Sequence, residues 1–221
     1  MDPKKLADFQ FSYDLLAEEY AARIYDELKG KPLDRERLDR FAARLQGGGK
    51  VCDLGCGPGH VARYVHDRGV DVFGLDLSPK MVEQARKLNP GIEFRQGNML
   101  VLDVADAVWA GALAFYSIIH IPRVEVPRVL LEIRRVLKPA GLLFLAFHLG
   151  KEVVHEQELW GKKVSLDYEF FEKTEVERYL LDAGYTIEES LERDSYPDVE
   201  VQTRRAYILA KKTHTAASHP R

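Results

Sequence analysis

The sequence predicts an α/β protein with a Rossmann-like, seven-stranded, mainly parallel sheet and helices on both faces. Between residues 51 and 147, short apolar segments alternate with amphipathic ones, a pattern typical of parallel strands joined by helical crossovers. The first apolar segment, Val51–Leu54, runs directly into a glycine-rich turn, and the second ends at Asp76. This order is typical of the first half of a nucleoside-binding sheet. Two strand-like segments near the end of the chain predict an antiparallel C-terminal hairpin.

An N-terminal helical cap is predicted before the sheet. Apolar residues within Tyr13–Leu28 recur at three- and four-residue spacing, and those within Leu33–Leu45 repeat the pattern. Three consecutive glycines at 47–49 then end the second helix. We therefore expect the cap to occupy residues 1–46.

The core is predicted to span residues 47–211, with a flexible tail at 212–221, so that the chain is effectively one domain. Residues 148–171 are charged and aromatic, and we expect an inserted hairpin there that acts as a lid over the ligand edge of the sheet. The predicted strands are Val51–Leu54, Val70–Leu75, Ile92–Arg95, Ala107–Phe115, Leu142–Phe147, Tyr185–Arg193 and Val199–Lys211, and the predicted core helices are Val61–Arg68, Pro79–Leu88, Glu125–Leu137 and Thr174–Ala183.

The composition indicates a soluble globular protein. The 221 residues carry a net charge of −3, so no overall field draws the protein to nucleic acid or to an anionic membrane. No apolar run approaches the roughly 18–20 residues that a bilayer requires, and the first residues lack an apolar signal core. We therefore expect a cytoplasmic protein, either a monomer or a homodimer. The only cysteines, Cys52 and Cys56, make a poor metal site, so no metal is expected.

The glycine spacing distinguishes between nucleoside ligands. Gly55, Gly57 and Gly59 read G-x-G-x-G, whereas a dinucleotide fingerprint would require a third glycine at the position of His60. Glycines permit positive φ angles and allow a ligand to approach the backbone closely. Asp76, twenty-one residues after Gly55, stands where a carboxylate accepts hydrogen bonds from ribose hydroxyls.

The segment Asp53-Leu-Gly-Cys-Gly-Pro-Gly59 resembles motif I of the class I S-adenosylmethionine-dependent methyltransferases. Residues 10–211 are similar to the small-molecule branch of that family, which comprises methyltransferase types 11, 12 and 25. The resemblance implies in-line transfer of a methyl group from S-adenosyl-L-methionine to an oxygen, nitrogen or carbon of a small molecule. The cofactor-binding residues implied are Asp53, Gly55, Cys56, Gly57, Gly59, Asp76, Leu77, Met81, Asn98, Met99 and Tyr20.

One of these positions departs from the family pattern. Family members often carry Gly-Asp where this chain has Gly97-Asn98, and the carboxylate accepts from the adenine amino group. The amide oxygen of Asn98 can accept the same hydrogen bond without the charge. We therefore expect Met99 to contribute as well.

The acceptor side is predicted from the end of the fourth strand. The base-stacking motif of nucleic-acid methyltransferases and the metal-binding aspartate of catechol-type enzymes are both absent between residues 114 and 122. The resemblance instead places Tyr116 beside the sulfonium and makes His120 a base, although His120 could equally cap the following turn. His148, after the fifth strand, competes for the role of base. Tyr13 and Arg204 are the candidate substrate-binding residues.

Two alternative functions remain open at this point. The first is an RNA or protein methyltransferase, which the balanced charge and the missing base-stacking motif disfavour. The second is a cofactor-binding module without catalytic activity, against which the intact glycines and the two histidines argue. A nicotinamide dehydrogenase is disfavoured by the glycine spacing.

Overall fold

The computed structural model describes residues 1–213, so the predicted tail lies outside the described residues from position 214 onward. In chain order the helices are α1 (Pro3–Ile24), α2 (Pro32–Ala43), α3 (His60–His66), α4 (Pro79–Leu88), α5 (Val126–Val136) and α6 (Lys173–Asp182). The strands are β1 (Val51–Leu54), β2 (Val72–Asp76), β3 (Glu93–Gln96), β4 (Trp109–Phe115), β5 (Leu137–His148), β6 (Val153–Leu159), β7 (Lys162–Glu169), β8 (Tyr185–Arg193) and β9 (Arg205–Lys212).

The main sheet confirms the predicted fold class. Its seven strands run in the order β3-β2-β1-β4-β5-β9-β8. The first five are parallel, and β9 lies antiparallel between β5 and β8. The strand order reverses between β1 and β4, and ligands of open α/β sheets bind beyond the carboxyl ends of the strands at such a reversal.

Buried apolar residues on both faces of the sheet hold the helices in place. Strand β1 is buried along its whole length because it has a strand on each side and helices above and below. On one face, α5 packs through Val129 and Ile133, and on the other α2 packs through Leu38 and Phe41. Each buried aliphatic or aromatic side chain of this kind stabilises the fold by about 1.5–3 kcal/mol relative to exposure.

Helix α1 begins ten residues earlier than its apolar pattern suggests. The Asp2 side chain accepts a hydrogen bond from the Lys4 amide at 2.8 Å, and Pro3 occupies the first helical position. Leu28, assigned to the same helix from its spacing, lies in a separate 3₁₀ turn at Glu27–Gly30. The chain therefore turns before α2 and brings Glu27 and Lys31 back toward the sheet.

The last strand is shorter than predicted, because residues 199–204 form a loop. The Arg205 guanidinium donates to the carbonyl oxygens of Thr203 and Val201 at 2.6 and 3.0 Å. The Glu200 carboxylate accepts from the Tyr196 amide at 2.8 Å. These bonds occupy groups that would otherwise pair with a neighbouring strand, so β9 begins only at Arg205.

The predicted hairpin within residues 148–171 forms from β6 and β7 as a separate two-stranded sheet. It packs against α1, where Ser12 Oγ accepts from the Ser165 amide at 2.9 Å and Lys162 Nζ donates to the Leu15 carbonyl at 2.8 Å. The hairpin tip places the Trp160 ring 5.9 Å from that of Tyr20. Movement of this hairpin as a lid stays a prediction. Within the described chain, no helix has the length and apolarity to span a membrane.

We predict that Gly59→Ala destabilises the protein more than Gly47→Ala does. Both glycines have positive φ angles, +81° and +70°, so both substitutions carry a backbone strain of about 1 kcal/mol. A Cβ on Gly59 would also lie 2.6 Å from the Phe94 ring and 2.7 Å from Asn89 Nδ2, whereas Gly47 has open space around it. We expect overpacking to cost Gly59→Ala a further ~1–3 kcal/mol, measured by urea unfolding. Equal losses would contradict the crowding at Gly59.

Candidate active site

A cleft of about 540 Å³ opens at the carboxyl ends of β1, β2 and β4. We call it the glycine cleft, because the loop 55–57 forms its floor. Asp76 and Met81 line it from β2 and α4. Its remaining lining residues come from the N-terminal cap and from the segment after β4, among them Tyr13, Tyr20, Glu27, Tyr116 and His120.

The glycine loop is shaped by hydrogen bonds to the neighbouring strand. Gly55 and Cys56 donate from their amides to the Leu75 carbonyl at 2.7 and 3.2 Å, and the Gly57 amide donates to Asp76 Oδ2 at 2.8 Å. Gly57 has a φ of +51°, and a Cβ on it would meet only the Tyr20 ring, at 3.7 Å. The space in front of this loop is therefore open to a ligand that approaches the backbone.

Asp76 lies where the glycine loop meets the end of β2. Its two carboxylate oxygens accept from the amides of Gly57 and Ser78 at 2.8 and 2.9 Å. Burial raises the pKa of Asp76 to about 6, against the effect of these hydrogen bonds. Each carboxylate oxygen has a second lone pair, so Asp76 can still accept from ligand hydroxyls.

A smaller side cleft of about 390 Å³ adjoins the glycine cleft through Gly55. Leu77, Asn98 and Met99 line it, so the structure brings together three of the cofactor-binding residues that the resemblance implies. The Asn98 amide oxygen, however, accepts from the Leu100 amide at 2.9 Å. A hydrogen bond from an adenine amino group to Asn98 stays a prediction. It would use the second lone pair of the Asn98 amide oxygen.

Asp53 and Gly59 lie beneath the loop and do not line the glycine cleft. Asp53 is buried, and its Oδ2 finds no hydrogen-bond partner among residues 1–213. Burial raises the pKa of Asp53 to about 7. Gly59 packs against Phe94 and Asn89. The carboxyl group of Asp53 therefore lies under the loop, and a role for it in cofactor binding stays a prediction.

His120 and Tyr13 meet across the opposite wall. The Nδ1 of His120 lies 3.0 Å from the Asp167 carbonyl oxygen, which can only accept, so Nδ1 carries the proton. Its Nε2 is then the acceptor and lies 2.8 Å from the Tyr13 hydroxyl. Burial lowers the pKa of His120 to about 4, so the ring is neutral at pH 7. This arrangement makes Nε2 a proton acceptor at the edge of the cleft.

Tyr116 is held by a buried polar network that sequence reasoning missed. Its backbone φ of +54° is unusual for a residue other than glycine, and such strain is concentrated at functional sites. Its hydroxyl lies 2.8 Å from that of Tyr207, which donates to Asp34 Oδ1 at 2.9 Å. Arg193 pairs with the other Asp34 oxygen at 2.7 Å. The four side chains belong to segments far apart in sequence, so no local pattern could reveal them.

A second cavity of about 1090 Å³ continues from the glycine cleft. We call it the tyrosine cavity, because Tyr13, Tyr20, Tyr116 and Tyr168 line it, and the first three of these also line the glycine cleft. His148 lines only this cavity; its Nδ1 lies 2.7 Å from Thr203 Oγ1. Burial, and then the nearby Arg205 charge, lower the pKa of His148 to about 3.

Arg204 is not brought to either cavity. Its side chain is 61% exposed and pairs with Glu192 and Asp194 on the outer face of β8, at 2.8 and 3.3 Å. The adjacent Arg205 points to the opposite face and lines the tyrosine cavity. Substrate binding by Arg204 is thus not supported by its placement, and the register that turns Arg205 inward, opposite His148, is not visible in the sequence.

Comparison with known proteins agrees with this geometry. The family model described as a methyltransferase domain matches residues 51–141, from the start of β1 into β5. The matched part of the chain, residues 51–141, is thus similar to a methyltransferase domain. A malonyl-[acyl-carrier protein] O-methyltransferase from Enterobacter lignolyticus is 31% identical over 134 residues, which cover 58% of this chain and 51% of that protein.

Two solved structures share the fold of this chain. DhpI, solved with SAH, superposes with a TM-score of 0.70 at 19% identity, covering 94% of this chain and 98% of its own. A chain solved in complex with the Trm112 methyltransferase activator of Haloferax volcanii superposes with a TM-score of 0.69 at 21% identity, covering 96% and 99%. This chain spans about half the length, or less, of the curated relatives that it matches.

We predict that Asp53 makes the stability of the protein fall between about pH 4 and pH 7. The pKa of Asp53 is about 7 in the folded state and near 3.8 in the unfolded state. Between these values only the folded state keeps the proton. The contribution of Asp53 to the free energy of unfolding is therefore complete below pH 3.8 and is lost as the pH rises to 7. The loss should amount to a few kcal/mol.

The measurement is urea unfolding of the wild type and of Asp53→Asn at several pH values. His120 and His148 have lowered pKa values, so their contributions to stability change with pH in the opposite direction. Both proteins contain these histidines, so the difference between their free energies of unfolding removes this effect. The variant should gain stability relative to the wild type as the pH rises from 5 to 8. A constant difference would contradict the raised pKa of Asp53.

Proposed function

We propose that the protein transfers a methyl group from S-adenosyl-L-methionine to an oxygen, nitrogen or carbon of a small-molecule acceptor. One observation carries the proposal: the glycine cleft and the tyrosine cavity adjoin, and both are lined by Tyr13, Tyr116 and His120. A nucleoside in the first and an acceptor in the second would meet at these three side chains. The proposal also draws on the match of residues 51–141 to the model of a methyltransferase domain.

The residues of the glycine cleft fit the cofactor. Asp76 keeps acceptor capacity for the ribose hydroxyls, and the open face of Gly57 lets the ligand lie against the backbone. Leu77, Asn98 and Met99 in the side cleft would enclose the adenine, with Met81 and Tyr20 packing from α4 and α1. When bound, S-adenosyl-L-methionine supplies a methyl group activated by its sulfonium.

The chain's own contribution is then positioning, exclusion of water and removal of a proton. Holding reacting groups in near-attack geometry lowers a barrier by roughly 7–11 kcal/mol. The neutral His120 takes a proton on Nε2, directly from an acceptor hydroxyl or amine or through the Tyr13 hydroxyl bonded to it. The Asp167 carbonyl holds the Nδ1–H and so stabilises the imidazolium that forms. His148 is the alternative base at the other end of the tyrosine cavity.

A small-molecule acceptor is favoured over a macromolecule by the enclosure of the tyrosine cavity between α1, the hairpin and the sheet. A non-catalytic binding module would differ from the proposed enzyme in one respect. It would bind S-adenosyl-L-methionine without converting it to S-adenosyl-L-homocysteine.

We expect Asp76→Asn to weaken cofactor binding by about 10–100-fold. The amide loses the charge and places an N–H donor where the carboxylate accepts, and a hydrogen bond to a charged group is worth about 1.5–3 kcal/mol. Calorimetric titration with S-adenosyl-L-methionine and S-adenosyl-L-homocysteine measures the change. Asp71→Asn, an exposed acid just before the same strand, is the matched control and should bind normally. Unchanged affinity in Asp76→Asn would remove Asp76 from the site.

We expect His120→Ala to lower turnover by roughly 100-fold or more while cofactor affinity stays within about threefold, because His120 acts on the acceptor proton. Formation of S-adenosyl-L-homocysteine in a screen against pooled metabolites measures turnover. His66→Ala, with a half-exposed side chain at the end of α3, is the control. Full activity in His120→Ala together with a large loss in His148→Ala would transfer the role of base to His148.

A further inference from the structure

Two buried cations border the inner end of the tyrosine cavity. Lys31 and Arg205 line this cavity, and they are only 3% and 2% exposed. Both lie near the ring of Tyr116, with Lys31 Nζ and Arg205 Cζ at 5.6 and 5.7 Å from its centroid. Lysine and arginine are rarely buried without partners, because removing a charge from water is costly. The groups around these two cations therefore indicate what the cavity is built to bind.

The carboxylates near these cations are shared among several of them. Glu200 contacts Lys31 at 3.3 Å and Arg205 at 3.2 Å, and it also receives both terminal nitrogens of Arg193. Glu27 contacts Lys31 at 2.7 Å, but it also pairs with His60 at 3.0 Å. Among residues 1–213, the acid that pairs with Arg205 also pairs with other cations. Glu200 and Glu27 are thus already neutralised, and neither is available to attract a cationic acceptor.

The two cations also keep unused hydrogen-bond donors. Glu27 and Glu200 accept two of the three N–H bonds of the Lys31 ammonium. The Arg205 guanidinium has five N–H bonds and gives two of them to the carbonyls of Thr203 and Val201. The Arg205 Nε–H faces Glu200 Oε2 at 3.2 Å, so two of the five N–H bonds remain without an acceptor within the described chain. A buried donor without a partner is costly, and a ligand that supplies acceptors removes this cost.

The carbonyl bonds of Arg205 also fix its position. They hold the guanidinium against the loop before β9, so little side-chain entropy is lost when a ligand binds. His148, next to this guanidinium, stays neutral because its pKa is lowered, and it does not add a competing charge. The inner end is therefore a preorganised group of two cations that still have free N–H donors.

We propose that the methyl acceptor carries a carboxylate group that binds at this inner end, to Lys31 and Arg205. The inference rests on the proposed function and adds the substrate class. S-Adenosyl-L-methionine carries two positive charges and one negative, so the loaded site gains one positive charge that a single carboxylate balances. The rings of Tyr116, Tyr168 and His148 would enclose the rest of the acceptor.

The first test compares carboxylates with carboxamides of the same skeleton. Acetate, phenylacetate and 3-phenylpropionate, each with its primary amide, are titrated by ligand-observed NMR into protein saturated with S-adenosyl-L-homocysteine. Saturation is checked by calorimetry in the same samples, so failure of the proposed function appears there first, as absent binding of the nucleoside. We expect at least one carboxylate to bind at least tenfold more tightly than its amide. Equal binding within every pair, or no binding of any carboxylate, overturns the proposal.

The second test uses the two neighbouring arginines as a matched pair. Arg205→Gln should abolish the preference for carboxylate, whereas Arg204→Gln, on the opposite face of the same strand end, should retain it. Equal behaviour of the two variants overturns the proposal. Thermal unfolding shows whether Arg205→Gln is folded. If it is not, Lys31→Met replaces it in the comparison, and preserved carboxylate preference in that variant overturns the proposal.

Discussion

The site depends on the hydrogen bonds that tie the glycine loop to the end of β2. The amides of Gly55 and Cys56 bind the Leu75 carbonyl, and the Gly57 amide binds the Asp76 carboxylate. These bonds require positive φ at both glycines, so the loop has one conformation that the strand beside it selects. The same carboxylate that holds the loop also faces the cleft. One carboxylate therefore both fixes the shape of the loop and presents hydrogen-bond acceptors to the cleft.

Around that loop, burial determines the chemical character of each titratable group. Both histidines that border the tyrosine cavity are neutral at physiological pH because burial lowers their pKa values. The carboxyl pKa values of Asp53 and Asp76 are raised for the same reason. Lys31 and Arg205, which also line the tyrosine cavity, share buried carboxylates. The site thus separates a neutral region, where a proton can be moved, from a charged region that can orient a substrate.

Sequence reasoning recovered the sheet and the glycine loop, because each depends on local pattern: alternating segments, glycine spacing and an acid at a strand end. It could name Tyr13 and His120 but not their contact, since α1 and the segment after β4 are more than 100 residues apart. It chose Arg204 over Arg205, because a strand pattern shows that neighbours face opposite ways without showing which one faces inward. The network behind Tyr116 was invisible, since its members come from four distant segments.

One contact gives the hairpin a part in the chemistry. The carbonyl that fixes the tautomer of His120 belongs to Asp167 on β7, and β7 is held to α1 through Ser165 and Lys162. If the hairpin swings away to admit or release ligands, the imidazole loses that partner and its two nitrogens become interchangeable. Which nitrogen of His120 accepts a proton is then fixed only while the hairpin lies against the tyrosine cavity. Under the proposed function, closure of the hairpin would complete the base, and an open site would hold the methyl donor without helping water to attack it.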